Sequence, residues 1–545
     1  MSRMYLIAQM PRTVEPTRKT TTIAQSVGPK FVRTDRCANC SMRSPCADRR
    51  LHSRAAPSPR PSRLPPPAPG EVRPRSGRKR RRAPSDKGRD TGRTIGACEV
   101  RNMDQHGWSR REFLKGGAAA LGLPYIIKSG VLAQAGRPGP NDRVDIGIIG
   151  LGGRARYMAR TSALIPEVRI AAVCDCFEPA IGGFVHDVGE GQGWKTYLDF
   201  REMCEKENLN GVMVVTTTHA RAWVTVLAMQ AGMDAYIEKP MCLTIPEGRQ
   251  MVRAAREYKR VTQVGTQQRS MPINNWASDL VKSGALGKVQ TVLAPNFLGP
   301  ERWTDQPGEP LPAGGSEAWW DLWTNQAVLR PYHSQLHRGW MRWWDYDGGG
   351  LSFGVTGWGA HAYDQVQRAL GTDDTGPVEV VLEEPVAPGN EYGEGGPAGQ
   401  IGPRAKVRMK YANGVELSLT RDRRPNAGLH GLGATFVCEK GTLEIERNQL
   451  WSDPPEIITS PDNPGQNQQD ESQYHVQDWV DCIRSRKRCT ADLEAGQRAS
   501  TICYLVNIAR DVGRVGEVLK WQPKAERFAN CDEGNAMLDR PRRAG

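Results

Sequence analysis

The sequence predicts a doubly wound parallel α/β sheet, the Rossmann arrangement, followed by an α+β domain with a large, mostly antiparallel sheet. Three observations predict it. An apolar strand runs into the glycine turn Gly150-Leu151-Gly152-Gly153-Arg154-Ala155. Strand and helix signals then alternate as far as residue 268, the pattern of parallel strands joined by crossover helices. Beyond that point the periodicity changes to two, with an Asn-Gly turn between alternating runs.

Val144 to Gly150 is a short apolar run suited to a buried parallel strand. In the turn, Gly150 permits the sharp bend, Gly152 and Gly153 let backbone approach a pyrophosphate, and Ala155 keeps helix and sheet close. The helix that starts here directs N–H groups and a partial positive charge at phosphates. A second strand, Val168 to Cys174, ends at Asp175, 25 positions after Gly150, where a carboxylate bonds ribose hydroxyls. Together these imply a bound dinucleotide. Asp175 favours NAD over NADP, because a carboxylate repels a 2′-phosphate; Arg154 argues the other way, as a residue that can accept one. A third clear strand spans Asn210 to Thr217, followed by a helix from about His219. A fourth spans Asp234 to Ile237, with a helix from about Pro246 to Arg260, and a fifth starts at Thr262. Ligands of such sheets sit at the C-terminal strand ends, which is where Asp175, Thr216, Glu238, Lys239 and Gln267 fall.

In the second half, Val407, Met409 and Tyr411 alternate with polar residues, Asn413-Gly414 turns the chain, and Val415, Leu417 and Leu419 alternate again. This predicts a hairpin. Ala434 to Cys438 predicts another strand, returning through Gly441 to Leu443 and Ile445.

The net charge of +14 on 545 residues is unevenly placed. Residues 1–102 hold 24 Lys+Arg against 7 Asp+Glu, leaving 50 against 53 in the rest. The body is nearly neutral, so its charge gives no reason to expect a nucleic-acid partner. The segment 1–102 is basic and Pro-rich, with runs such as Arg78 to Arg82, and cannot bury enough surface to fold. It reads better as upstream sequence outside the mature protein than as a binding tail. Its Cys37, Cys40 and Cys46 lack a second matching pair, so no metal is expected. After Met103 come Ser109-Arg110-Arg111-Glu112-Phe113-Leu114-Lys115, a weakly apolar run from Gly116 to Val131, and Ala133-Gln134-Ala135. That order is a twin-arginine export signal, 103–135, implying a periplasmic protein. No stretch has the length of a stable membrane span. Export would permit disulfides, although pairing cannot be read from the spacing of the cysteines.

The segments Glu238-Lys239-Pro240 and Gly265-Thr266-Gln267-Gln268-Arg269 resemble the glucose–fructose oxidoreductase / inositol dehydrogenase (Gfo/Idh/MocA) family. So do Trp319-Trp320-Asp321-Leu322-Trp323, Trp343-Trp344-Asp345-Tyr346 with Gly348 to Gly350, and Trp358-Gly359-Ala360-His361 with Asp364. Leu519-Lys520-Trp521 and Asn535 to Pro541 look like the family's exported members. The resemblance covers about 141–545. It implies an NAD(P)-binding domain, 141–268, and a substrate and oligomerisation domain, 269–545, in a homo-oligomer acting on a small carbohydrate or cyclitol. It also implies that Lys239 lies beside the nicotinamide as general base and that His361 approaches the reacting hydroxyl, with Asp364 orienting it. Burial and neighbouring cations would lower the Lys239 pKa toward neutrality, and Pro240 holds the residues before it extended.

Two departures from the family matter. Where many members carry an Asp four residues before the His, this chain has Gly357. Thr216-Thr217-Thr218-His219 replaces a common Thr-Pro-Asp-His, leaving His219 as a cofactor contact or Thr218 as a helix cap. The tryptophan-rich stretch from Trp319 to Trp344 suits sugar stacking or an interdomain surface equally. His333 and His337 share a helical spacing, but no carboxylate completes a metal motif. The main expectation is a tightly held NAD used to oxidise or reduce a sugar hydroxyl or keto group. The alternatives are the family's glycoside-cleaving branch, whose Tyr-Pro-Thr-His-Gly segment is absent here, and a sugar-binding protein with reduced catalysis.

Overall fold

The computed structural model describes residues 138–139, 142–350, 354–386, 405–420, 431–467 and 470–543. The basic segment, its three cysteines and the export signal lie outside the described residues.

The first sheet has six parallel strands: β1 (Val144–Ile149), β2 (Val168–Cys174), β3 (Lys195–Tyr197), β4 (Gly211–Val214), β5 (Asp234–Ile237) and β6 (Thr262–Val264). Their order is β3-β2-β1-β4-β5-β6, the doubly wound arrangement with its crevice where the order reverses, beside β1. The connecting helices are α1 (Gly153–Ala163), α2 (Glu178–Val188), α3 (Phe200–Lys206), α4 (Thr218–Gln230) and α5 (Ile245–Glu257). All four residues of β4 and of β5 are buried, as expected of central parallel strands covered on both faces. Thr244 caps helix α5: its Oγ1 accepts from Glu247 N–H, and Glu247 in turn accepts from the N–H of Leu243, just before the cap. The run from Asn210 is the fourth strand, not the third. The three-residue edge strand β3 buries no side chain, so it leaves no period in the sequence.

The second domain is built on nine strands. They are β7 (Val289–Pro295), β8 (Pro377–Leu382), β9 (Val407–Tyr411), β10 (Glu416–Thr420), β11 (Ala434–Cys438), β12 (Gly441–Glu446), β13 (Gln449–Asp453), β14 (Val518–Gln522) and β15 (Arg527–Phe528). The order is β13-β12-β11-β7-β10-β9-β8-β14-β15. Only the β7–β10 pair is parallel. Both predicted hairpins form, with Glu416 opposite Lys410 and Phe436 opposite Leu443. The helices here are α6 (Pro272–Lys282), α7 (Glu317–Thr324), α8 (Ser334–Arg338), α9 (Trp358–Leu370), α10 (Glu471–Ser485), α11 (Leu493–Val512) and α12 (Asp532–Ala536).

Helix α10 crosses back to the first sheet. Val476, Trp479, Val480, Cys482 and Ile483 share one apolar core with Ile146, Met213 and Tyr236. Trp479 is fully buried, and a methyl added at Gly211 of β4 would meet its ring at 2.9 Å. Part of the 269–545 span therefore completes the core of the nucleotide-binding domain. No helix of the described residues is long and apolar enough to cross a membrane.

Candidate active site

A cleft of about 590 Å³ opens at the ends of β1, β2, β4 and β5, a size usual for a small-molecule site. Its floor is the glycine turn. Gly150 has φ +87°, and a Cβ there would lie 2.7 Å from the backbone N of Thr216, so only glycine fits. Gly152 and Gly153 face open space. Ala155 is wholly buried between α1 and the sheet. Asp175 lies at the end of β2, where its two oxygens accept from Leu151 N–H at 2.8 Å and Phe177 N–H at 2.9 Å. It holds the turn in place while lining the cleft. Thr216 lines the cleft at the end of β4.

Arg154 reaches to the end of β5. Its Nε donates to Glu238 at 2.8 Å, and its guanidinium stacks on Tyr157. It also lines the cleft, with its side chain 37% exposed. Arg154 also draws the buried Glu238 carboxyl below its ordinary pKa, overcoming the upward push of burial.

Lys239 follows Glu238, and its peptide bond to Pro240 is cis. The side chain is half-buried and lines the cleft. Its Nζ donates to the carbonyl of Gly357 at 3.3 Å. Burial pushes the ammonium down to about 8, opposed by Glu238 and assisted by Arg221 and Arg154.

His361 lies in the first turn of α9, near Lys239 but outside the cleft lining. Burial, then the charges of Arg447, Lys239 and Arg154, drives it well below the usual histidine range. It is neutral at neutral pH, and its Nδ1 has no hydrogen-bond partner among the described residues. Asp364 does not orient it. Both Asp364 oxygens accept from Arg269 Nε, at 2.9 and 2.7 Å, and Arg269 also binds Asp373. Arg269 and Asp364 are each 2% exposed. Asp364 is therefore part of a buried ion pair between α9 and the exit of β6, because a full positive charge there outcompetes a neutral imidazole.

Two further expectations are corrected. Gln267 is buried outside the cleft lining, its amide donating to the Tyr236 hydroxyl at 3.2 Å. His219 is buried beneath the tryptophan cluster, where Nε2–H donates to Trp323 O at 2.9 Å and burial lowers its pKa to about 4. Nor does Thr218 cap α4: its hydroxyl donates to Asp347 at 2.5 Å.

Asp347 is the residue that sequence reasoning missed. It lines the cleft, yet it is fully buried within the protein. One oxygen accepts from Thr218, the other from Thr356 Oγ1 at 2.6 Å. Thr218 in turn accepts from Arg221, which also donates to Pro240 O and Thr216 O. Asp347 thereby links the backbone following Lys239 to the residue preceding Gly357, the partner of the Lys239 ammonium. The only signal in the sequence is an acid beside three glycines.

Trp319, Trp320, Tyr332, Leu336, Trp343 and Tyr346 form a small core of their own, packed on Phe177 of the first domain. Trp323 and Trp340 reach the cleft. The stretch is mainly interdomain packing with two aromatic rings left at the site. His333 accepts from Gln335 N–H and pairs with Glu309, while His337 faces the cleft. The two do not converge on a metal.

The family model for the NAD-binding Rossmann fold matches residues 144–266, and that for the C-terminal α/β domain of the same oxidoreductases matches 278–545. The chain belongs to the Gfo/Idh/MocA oxidoreductase family. Its nucleotide-binding half is that of a nicotinamide-dinucleotide enzyme. Among curated relatives, the rhizopine catabolism protein MocA of Rhizobium meliloti is 28% identical over 150 residues, 28% of this chain and 46% of that protein. A glycosyl hydrolase family 109 protein of Shewanella baltica is 26% identical over 176 residues, 28% of this chain and 38% of that protein. The chain thus spans less than half the length of either. Among solved structures, the aldose–aldose oxidoreductase of Caulobacter crescentus has a TM-score of 0.48 at 16% identity, over 69% of this chain and 99% of that one. The myo-inositol 2-dehydrogenase of Lactobacillus plantarum has 0.46 at 17%, over 70% and 100%.

Proposed function

We propose that this family member oxidises a hydroxyl, or reduces a keto group, of a small carbohydrate or cyclitol. The carrying observation is the half-buried Lys239 ammonium, lowered to about 8 at the end of β5, in the cleft that the glycine turn floors. The cradle fits a dinucleotide, since the Cβ positions of Gly152 and Gly153 point into open space. When bound, a nicotinamide supplies the hydride acceptor. The chain's part in the reaction is the proton. Neutral Lys239 Nζ takes the hydroxyl proton, and the Gly357 carbonyl holds the amine toward the cleft. Neutral His361 sits close enough to feel the Lys239 charge and stands second to it as a proton-transfer group. Asp175 has no cation partner among the described residues, and Arg154 pairs with Glu238, which supports NAD over NADP.

The signal at 103–135 supports a periplasmic protein. Little free dinucleotide exists there, so the reading includes a tightly held cofactor, reduced and reoxidised within one cycle, in a homo-oligomer. Native mass spectrometry of protein made through its export route tests this, followed by a panel of sugars and cyclitols. Bound dinucleotide and sugar-dependent reduction support it; a nucleotide-free protein contradicts the tightly held cofactor.

A second reading has one specific support, the likeness to family 109 glycosyl hydrolases. In that case the same base would serve an oxidation, elimination and reduction cycle. Released sugar without accumulated NADH would favour it.

A further inference from the structure

Outside the cleft, two cysteines stand apart from the other seven thiols among the described residues. Cys482 is in the last turn of α10, and Cys489 follows seven residues later, before α11. Both are buried, 7% and 5% exposed. With an oxygen of Asp478 their sulfurs lie within 4.8 Å of one another, and the Cys482 thiol donates to Asp478 at 3.9 Å. We propose that Cys482 and Cys489 form a disulfide that staples the end of α10 to the segment entering α11.

Three observations carry this reading over a metal site. The set has only two sulfurs and one carboxylate, and among the described residues no fourth ligand joins it, whereas a structural zinc site takes four. The other Asp478 oxygen is occupied by Thr490 N–H at 3.1 Å. The intervening residues 484–488 are all exposed, so the turn between the two cysteines faces a solvent-borne oxidant while Arg486 anchors it to Asp234.

The staple would sit at a structural junction. Cys482 and Cys489 both belong to the core beneath the first sheet. Thr490 O accepts from Arg269, Thr490 Oγ1 donates to Arg269 O, and Ala491 O accepts from Val264 N–H. Arg269 is the cation that binds Asp364. Closing the loop would therefore fix the segment joining β6, α9 and α10.

The chemistry needs an oxidant, here a small-molecule disulfide such as oxidised glutathione. The Cys482 thiolate attacks one glutathione sulfur, which breaks that disulfide and releases one glutathione thiolate. Cys489, losing its proton, then attacks the Cys482 sulfur and releases the second. Two protein thiols become one disulfide, and one glutathione disulfide becomes two thiols. The proposal does not depend on the substrate reading.

The test uses the full chain, incubated with oxidised glutathione, then denatured with a metal chelator, alkylated and peptide-mapped. The expected result is that Cys482 and Cys489 resist alkylation until a reductant is added, as one linked peptide pair. Reduction should also lower the melting temperature by about 5 °C, a shift absent from the C482S/C489S double variant. Immediate alkylation of both after oxidation would overturn the proposal, as would protection that the chelator abolishes, a glutathione adduct that persists on one cysteine, or an unchanged melting temperature.

Discussion

The two ends of the cleft are made differently. The nucleotide end is local: Gly150, Gly152, Ala155 and Asp175 fall within 26 residues, and Asp175 is bonded to the backbone of the turn it faces. The reacting end is assembled from afar. Lys239 meets Gly357, Thr218 meets Asp347 and Arg269 meets Asp364, in pairs that lie 118, 129 and 95 residues apart. Cofactor binding thus rests on backbone shape, and chemistry on side chains that only the docking of two domains brings together.

The largest expected effect lies at the reacting end. Lys239→Ala should lower turnover of a confirmed substrate by ~10²–10⁴-fold while nucleotide content stays the same. On the proposed reading Lys239 is the base, so its neutral form is the active one. Oxidation should rise as pH rises through about 8 and level off above it, and the variant should lose this limb. Retained turnover with the limb intact would move the proton transfer elsewhere.

Next is the junction between the domains. Asp364→Asn leaves the buried Arg269 with Asp373 alone, and should cost about 3–5 kcal/mol in denaturant unfolding. If Asp364 served His361 instead, stability would hold and the pH profile would change. At the nucleotide end, Gly150→Ala should cost at least ~1–3 kcal/mol from backbone strain. The added methyl collides with Thr216, so the purified variant should carry less dinucleotide. The smallest effect concerns cofactor choice. Asp175→Ser removes a charge worth about 1 kcal/mol at ~4 Å in water-like surroundings, so the ratio of NADP to NAD affinity should rise roughly fivefold.

What was legible follows the same division. The strand–turn–helix and Asp175 were readable because each residue type answers to neighbours in sequence, as was the hairpin at Asn413-Gly414. The place of Lys239 at a strand end was readable from the alternation, but its role only through resemblance. Asp347 was not, because what makes it notable, two threonine hydroxyls and a link to both sides of Lys239, exists only after folding. Gln267 and His219 sit at strand and helix ends that usually face ligands, but Tyr236 and Trp323 hold them outside the cleft. Helix α10 carries an apolar stripe whose partner sheet begins more than three hundred residues earlier, and no local pattern announces that return.

The most direct measurement is the nucleotide content of wild type, Lys239→Ala and Gly150→Ala by native mass spectrometry, each followed by turnover on one confirmed sugar. The account predicts a full complement of dinucleotide in wild type and Lys239→Ala, turnover in wild type alone, and depleted nucleotide in Gly150→Ala. A Lys239→Ala protein that holds its dinucleotide and still turns over at the wild-type rate would contradict it.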